Sequence, residues 1–133
     1  FMSYRGIENW YGQIYKFIDG VNVNARVYYV NNNPATFADD VTSGDYVNTG
    51  ITSATANGYV KDLVTSGKGF VASNTSGGSS STFVPDYFYQ DTGLYVLTFG
   101  GFAGSAAHAG GFSLHANATA SYSSPAFGSG LSF

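Results

Sequence analysis

The only two histidines of the chain, His108 and His115, lie seven positions apart in its last third. Histidine is the side chain best suited to proton transfer near neutral pH, and it is a common zinc ligand. A zinc site needs a third and a fourth ligand, and a Ser–His pair needs a carboxylate that orients the imidazole. The chain has no Asp, Glu, Lys or Arg after Asp91 and no Cys at all. We therefore predict no catalytic residue and no metal ligand here, and we expect both histidines to lie in loops and make contacts.

Two other clusters have the residue types of a ligand site. Asp39, Asp40 and Asp45, together with residues 31–33 (NNN), offer oxygen donors to a cation, but their spacing matches no known cation-binding loop. Residues 77–81 (GGSSS) have the composition of a phosphate-binding loop and lack its lysine. We expect solvated turns with local side-chain-to-backbone hydrogen bonds at the first and a flexible internal loop at the second. No cofactor is predicted.

The last third is also unusual in composition, because Gly, Ala and Ser dominate it and it has no formal charge after Asp91. About a quarter of the residues in a soluble protein are normally charged. We expect such a stretch to be buried, to be covered by a partner, or to form a contact surface. Phe102, Phe112, Tyr122 and Phe127 lie among small neighbours, so their rings either project as contact groups or turn back into the core.

Composition limits the class of protein. The chain has 133 residues, of which 44% are hydrophobic, 17% aromatic and 10% charged, which predicts one folded domain, residues 1–133. Its five basic residues are scattered, so no nucleic-acid partner is expected. No apolar run reaches the roughly 18 residues of a membrane helix, and no membrane insertion is expected. Because the chain begins with Phe1, we interpret it as the C-terminal part of a longer one.

Several short strands must position these residues. Asp19 and Gly20 form a two-residue hairpin signal between two apolar runs. Residues 39–58 have few large apolar side chains and are predicted to be mostly loop. Gly100 and Gly101 are expected at a close backbone approach or at positive φ. The predicted strands are residues 13–18, 21–30, 94–99, 112–114 and 128–133.

Two segments carry a family resemblance. Residues 5–17 (RGIENWYGQIYKF) resemble the G-N-V-W-E-W strand of the formylglycine-generating-enzyme-like branch of the C-type lectin fold. Residues 97–102 (LTFGGF) with 127–131 (FGSGL) resemble that branch's L-R-G-G-S-W and I-G-F-R-L ending. Residues 86–90 (DYFYQ) and 93–97 (GLYVL) are similar to the version found in phage virion proteins and in prophages of gut bacteria.

The resemblance implies an α+β, C-type-lectin-like domain with a twisted antiparallel core and long irregular loops on one side. In that branch, the region between the Gly-Gly pair and the final strand is the display surface, which corresponds here to residues 102–126. The ligand-binding residues expected on it are Phe102, Ser105, His108, Phe112, His115, Asn117, Tyr122 and Ser124.

The function implied is that of a non-catalytic phage virion domain at the tip of a tail or head fibre. It would bind a host cell-surface glycan or protein, contact other virion proteins and form a homotrimer on the surface of the virion. The alternative is a structural decoration or joining domain whose uncharged region packs between subunits. An enzyme of the formylglycine-generating type is not expected, because that chemistry uses cysteine. A lectin-type calcium site is not expected either, because no carboxylate follows Asp91.

Overall fold

The computed structural model describes residues 3–4, 7–8, 11–82 and 84–128. Its strands are β1 (Ser3–Tyr4), β2 (Ile7–Glu8), β3 (Tyr15–Asn24), β4 (Val27–Val30), β5 (Val47–Thr52), β6 (Gly58–Tyr59), β7 (Asp62–Ser66), β8 (Gly69–Asn74), β9 (Tyr87–Gln90), β10 (Leu94–Phe99), β11 (Leu114–Ala118) and β12 (Phe127–Gly128). Two short 3-10 turns, Pro34–Thr36 and Ala103–His108, are the helical elements of these ranges. No helix there is long and apolar enough to cross a membrane.

The predicted α+β, C-type-lectin-like fold is wrong, because the described chain is almost entirely β with no α-helix. The core is a curled mixed sheet in the strand order β5-β4-β3-β10-β11-β9-β6, with β12 added alongside β3. It is not purely antiparallel either, because β11 pairs with β9, and β12 with β3, in parallel. The physical reason is local: Gly and Ser are the commonest residues and interrupt the apolar runs, and none of the described segments combines a helical period with sufficient length.

The long strand β3 corrects the hairpin prediction. Asp19 and Gly20 lie inside this strand, and the turn to β4 is made by Ala25 and Arg26, at φ 47° and 68°. Gly20 instead occupies a bulge at φ +78°, where an added Cβ would lie 2.9 Å from the carbonyl oxygen of Asn31. Pairing with β10 along both halves of β3 therefore outweighs the local turn preference of an Asp-Gly pair.

The other strand predictions were confirmed at some positions and only partly met at others. The predicted strand 94–99 is confirmed as β10, which lies between β3 and β11. Residues 39–58 are predicted to be loop with short extended pieces, and they contain the six-residue strand β5, whose polar residues occupy an edge of the sheet. The predicted strand 112–114 overlaps β11 only at Leu114. Of the predicted strand 128–133, residues 129–133 lie outside the described residues.

The hydrophobic core lies between the main sheet and the β7–β8 hairpin. Val71 and Ala72 of the hairpin belong to the same buried cluster as Phe88 and Leu97 of the sheet. Phe88 is the largest fully buried side chain of the described residues. Because side chains alternate along a strand, the neighbours of Phe88 on β9 point to the opposite face of the sheet. That opposite face holds the candidate site.

Candidate functional site

The face of the sheet opposite the core is lined by aromatic rings. Tyr87 and Tyr89 flank Phe88 on β9 and point away from the core. Tyr59 pairs with Tyr87 across the β6–β9 ladder, and His115 pairs with Tyr89 across the β9–β11 ladder. We call this surface the aromatic face, and its rings in mutual contact are Tyr15, Tyr59, Tyr87, Tyr89, Phe102, His108, His115 and Phe127.

His108 connects three tyrosines at one end of the aromatic face. Its ring stacks on Tyr87 with the centroids 4.0 Å apart and the planes 22° apart. Its Nδ1 atom lies 2.9 Å from the hydroxyl of Tyr89, and the ring of Tyr59 meets it edge-on at 5.7 Å. These four rings are each only partly exposed, so they form one continuous surface open to solvent. The pKa of Tyr89 is raised above its ordinary value, mainly by burial and also by the neighbouring Tyr87, so the phenol stays protonated.

His115 lies deeper, at 4% exposure, between Tyr89 and Tyr15. Its Nε2 atom is 3.3 Å from the hydroxyl oxygen of Ser113, which itself donates to the carbonyl oxygen of Tyr87 at 2.9 Å. Because a serine hydroxyl has one proton, the imidazole is the donor in the His115–Ser113 bond. Burial, and to a smaller extent the nearby His108, lower the pKa of His115 to about 3. His115 is therefore neutral at physiological pH.

The Ser113–His115 pair is structural in its geometry. Ser113 has no exposed surface, and its single proton is committed to a backbone carbonyl. Among the described residues, no carboxylate is hydrogen-bonded to His115, whose imidazole would need one as an orienting group in a catalytic triad. Within the described ranges there is also no cluster of three or more metal-binding side chains. The hydroxyl of Ser113 therefore joins the backbone of Tyr87 to the buried imidazole of His115.

The Ala103–His108 turn belongs to the uncharged region and places His108 on the aromatic face of the sheet. The backbone N–H of Phe102 donates to the hydroxyl oxygen of Ser105 at 3.1 Å, and this oxygen also lies 3.2 Å from the hydroxyl of Tyr15. The turn starts after Gly101, which has φ +73° and approaches Ala109 so closely that an added Cβ would lie 2.9 Å from its Cα. The predicted close approach at the glycine pair is confirmed, and it directs the chain back over the aromatic face.

The structure separates the predicted ligand-binding residues into three groups. Phe102, Ser105, His108 and His115 come together on the aromatic face. Tyr122 lies at its margin, 51% exposed, with its ring 4.9 Å from that of Phe127. The remaining three residues lie elsewhere.

Phe112 is 64% exposed and lines a cleft on the core side of the sheet, so it belongs to a different surface. Asn117 is exposed on β11, and the hydroxyl of Ser124 accepts a hydrogen bond from the N–H of Ala126 in a turn. The expected residues are therefore divided between surfaces, with Phe112 on the core side of the sheet and His108 and His115 on the aromatic face.

Tyr59, Tyr87 and Tyr89 were missed by the sequence reasoning. The alternation of Tyr87, Phe88 and Tyr89 is the period of a strand with two aromatic residues on one face, and this signal was available. Tyr15, which also belongs to the aromatic face, is buried at 8% exposure. Tyr59 could not be placed in this way, because β6 has only two residues.

The first of the two other candidate clusters contains the predicted turns, and the second lies in a segment without strand or helix. Asn33 accepts a hydrogen bond from the N–H of Ala35, and Asp45 accepts one from the hydroxyl of Thr36 at 2.7 Å. Residues 77–81 lie in an irregular segment, where the hydroxyl of Ser79 accepts from the N–H of Ser81. Local backbone and hydroxyl groups therefore use these oxygens.

No protein family, no functionally characterised protein and no solved structure matches this chain. The role of the aromatic face therefore has to be argued from its own geometry.

Proposed function

We propose that this domain is a non-catalytic binding module that recognises a glycan through the aromatic face. The observation that carries the proposal is the group of Tyr59, Tyr87, Tyr89 and His108, four partly exposed rings held against one another. A sugar ring has apolar C–H faces that stack on aromatic rings and hydroxyl groups that need hydrogen-bond partners. Tyrosine and histidine supply both kinds of contact in one side chain.

Rigidity favours binding at this surface. The side chains of tyrosine and histidine have few rotatable bonds, so little conformational entropy is lost when a ligand orders them. Stacking with Tyr87 and the hydrogen bond to Tyr89 already hold His108 in place. Beneath them, His115 and Ser113 tie the backbone of Tyr87 to β11. A ligand thus meets a preformed surface, which lowers the cost of binding.

The biological setting is part of the same proposal. From the resemblance of residues 5–17 and 97–102, the module would act at the tip of a tail or head fibre of a phage virion. It would attach to a glycan or protein of the host cell surface, beside other virion proteins and within a homotrimer. This setting rests on the short motifs alone, since the fold they implied is wrong. Mass measurement of the purified chain in solution tests the trimer.

A glycan array of neutral oligosaccharides, followed by titration calorimetry with the best binder, tests the glycan site. Tyr87→Ala should weaken binding about ten-fold, because an aromatic contact contributes roughly 0.5–1.5 kcal/mol beyond burial. Tyr87→Phe keeps the ring and should keep most of the affinity. Phe70→Ser, on the other face of the sheet, is the matched control and should bind like the unchanged chain.

Two results would contradict the glycan proposal. One is an array without any binder. The other is equal loss of binding in Tyr87→Ala and Phe70→Ser, which would indicate general destabilisation. If residues 102–126 are protected from hydrogen exchange only in an assembled oligomer, the alternative of a structural joining domain is favoured instead.

A further inference from the structure

An apolar cleft of ≈ 400 Å³ lies on the core side of the sheet, opposite the aromatic face. The hairpin residues Val71 and Ala72 line one side of it, and Phe88 and Leu97 of the sheet line the other. All of its described lining residues are Ile, Val, Leu, Phe, Ala or Gly, so no described side chain in it has a hydroxyl, amide or charge. The volume is within the range of small-molecule sites, roughly 300–1,000 Å³.

Large apolar side chains surround this cleft and are left in water. Phe70 is 60% exposed, Phe112 is 64% exposed and Leu63 is 43% exposed, and all three line the cleft. Apolar residues scattered singly over a surface need no explanation, but a contiguous group beside a cavity marks a binding site. The three side chains extend the apolar surface of the cleft to its solvent-exposed rim.

The lining decides which chemical class fits. A peptide strand in this cleft would bury backbone N–H and C=O groups with no described side chain to pair them, which is unfavourable. An unbranched aliphatic chain has no such groups. A methylene occupies about as much space as a water molecule in the liquid, about 30 Å³, so ≈ 400 Å³ holds about thirteen carbons.

One end of the cleft is polar. Val21 lines both the apolar cleft and an adjoining pocket that contains Asp19, Asn32 and Lys68. Lys68 lies in the two-residue turn at the tip of the β7–β8 hairpin and is exposed. The ammonium group of Lys68 can pair with an anionic headgroup. The carboxylate of Asp19 lines the same pocket and repels an anion, so the headgroup is favoured at Lys68. A headgroup that extends past Val21 would therefore be held by Lys68.

We propose that the cleft binds a single-chain carboxylate amphiphile of about thirteen carbons, with its aliphatic tail between the hairpin and the sheet and its carboxylate at Lys68. This site is independent of the glycan proposal, because the two lie on opposite faces of the sheet. Either can fail without the other.

Calorimetric titration of the purified chain with sodium dodecanoate and sodium tetradecanoate, below their micelle concentrations, tests the proposal. Binding with a negative heat-capacity change is expected, since apolar surface is removed from water. Ala72→Leu fills the cleft and should abolish binding. Phe112→Ser changes an exposed residue that lines the cleft, so it should fold normally and weaken binding several-fold. Val47→Ser, an exposed residue of the edge strand β5, should leave the affinity unchanged.

The headgroup contact has its own comparison. Lys68→Gln should lower the affinity for dodecanoate up to about five-fold, the range of an exposed ion pair, and should not change the affinity for uncharged dodecanol. Equal binding of dodecanoate to both chains would overturn the Lys68 assignment. No binding by the unchanged chain would overturn the whole proposal. So would a concentration-dependent dimer that Phe112→Ser dissociates, because a second copy would then cover the cleft.

Discussion

Buried neutral His115 should make the domain lose stability in mild acid. In the unfolded chain the pKa of a histidine is about 6.5, whereas burial lowers the pKa of His115 in the folded state to about 3. Between these two values the unfolded chain binds a proton that the folded chain does not, so acid favours unfolding. The free energy of unfolding is highest above pH 6.5 as far as His115 is concerned, and it falls progressively as the pH is lowered. The loss levels off near pH 3, where the folded chain also binds the proton.

The magnitude follows from the size of this pKa difference. Each pH unit below 6.5 lowers the free energy of unfolding by about 1.4 kcal/mol until the folded-state pKa is approached. Lowering the pH from 7 to 5 should therefore cost about 2 kcal/mol from this one side chain. That is a large share of a total stability of roughly 5–15 kcal/mol.

Urea unfolding followed by circular dichroism at pH 7 and pH 5 measures the loss. His115→Gln isolates the contribution, because the amide of glutamine can still donate to the hydroxyl of Ser113 but cannot titrate. Its stability should fall by about 2 kcal/mol less than that of the unchanged chain between the two pH values. His108→Gln serves as the matched control and should keep most of the pH dependence, since burial is the larger cause of the lowered pKa.

Nuclear magnetic resonance of the imidazole provides a direct check. The His115 ring should remain neutral at pH 5 in the folded protein. A ring that titrates near its ordinary pKa of about 6.5, or equal pH dependence in the unchanged chain and in His115→Gln, would refute the reasoning.

Two further substitutions test the backbone of the sheet and of the loop beside the site. Ala25→Asn should stabilise the domain by about 0.5–1 kcal/mol in urea unfolding. The reason is that Ala25 has φ 47° in the β3–β4 turn, a conformation that asparagine tolerates better than alanine. A loss of stability would show that this turn is not strained. Gly78→Ala should destabilise it by about 1–3 kcal/mol, since the new Cβ would overlap the backbone carbonyl group of Tyr59, which cannot rotate away as a side chain can. Gly67→Ala, where an added Cβ meets nothing, is the matched control, and equal effects of the two substitutions would contradict the overlap.

Local patterns predicted some elements and misled at others. Residues 94–99 (LYVLTF) are mostly apolar, with aromatic and β-branched side chains, and they form β10. This strand pairs with a neighbour on each side, and a central strand needs little more than such a composition. Asp19 and Gly20 have the composition of a hairpin turn, yet they lie inside β3, because the ladders to β10 and β4 stabilise an extended chain around them. Turn preference is worth less than the hydrogen bonds and packing of two neighbouring strands.

The fold class failed for a related reason. Motifs within residues 5–17 and 97–102 led to an α+β fold, although no described segment of the chain has a helical pattern of sufficient length. A short motif reflects the side chains that favour a single strand. Strands in many different sheets have the same side chains, so such a motif does not define a fold. The actual strand order, with β9 and β11 adjacent and parallel, depends on contacts between distant segments.

Composition alone indicated a folded chain without cysteine chemistry, and the lack of charge after Asp91 indicated contacts or burial for that region. The family resemblance placed Phe102, Ser105 and His108 among the candidate binding residues. The tertiary structure decided which of them meet. His108 reaches Tyr87 and Tyr89 because Gly101 allows the chain to turn back over the sheet, while Phe112 points to the other side. A residue's face depends on strand pairing, and pairing is set by contacts between residues far apart in the chain.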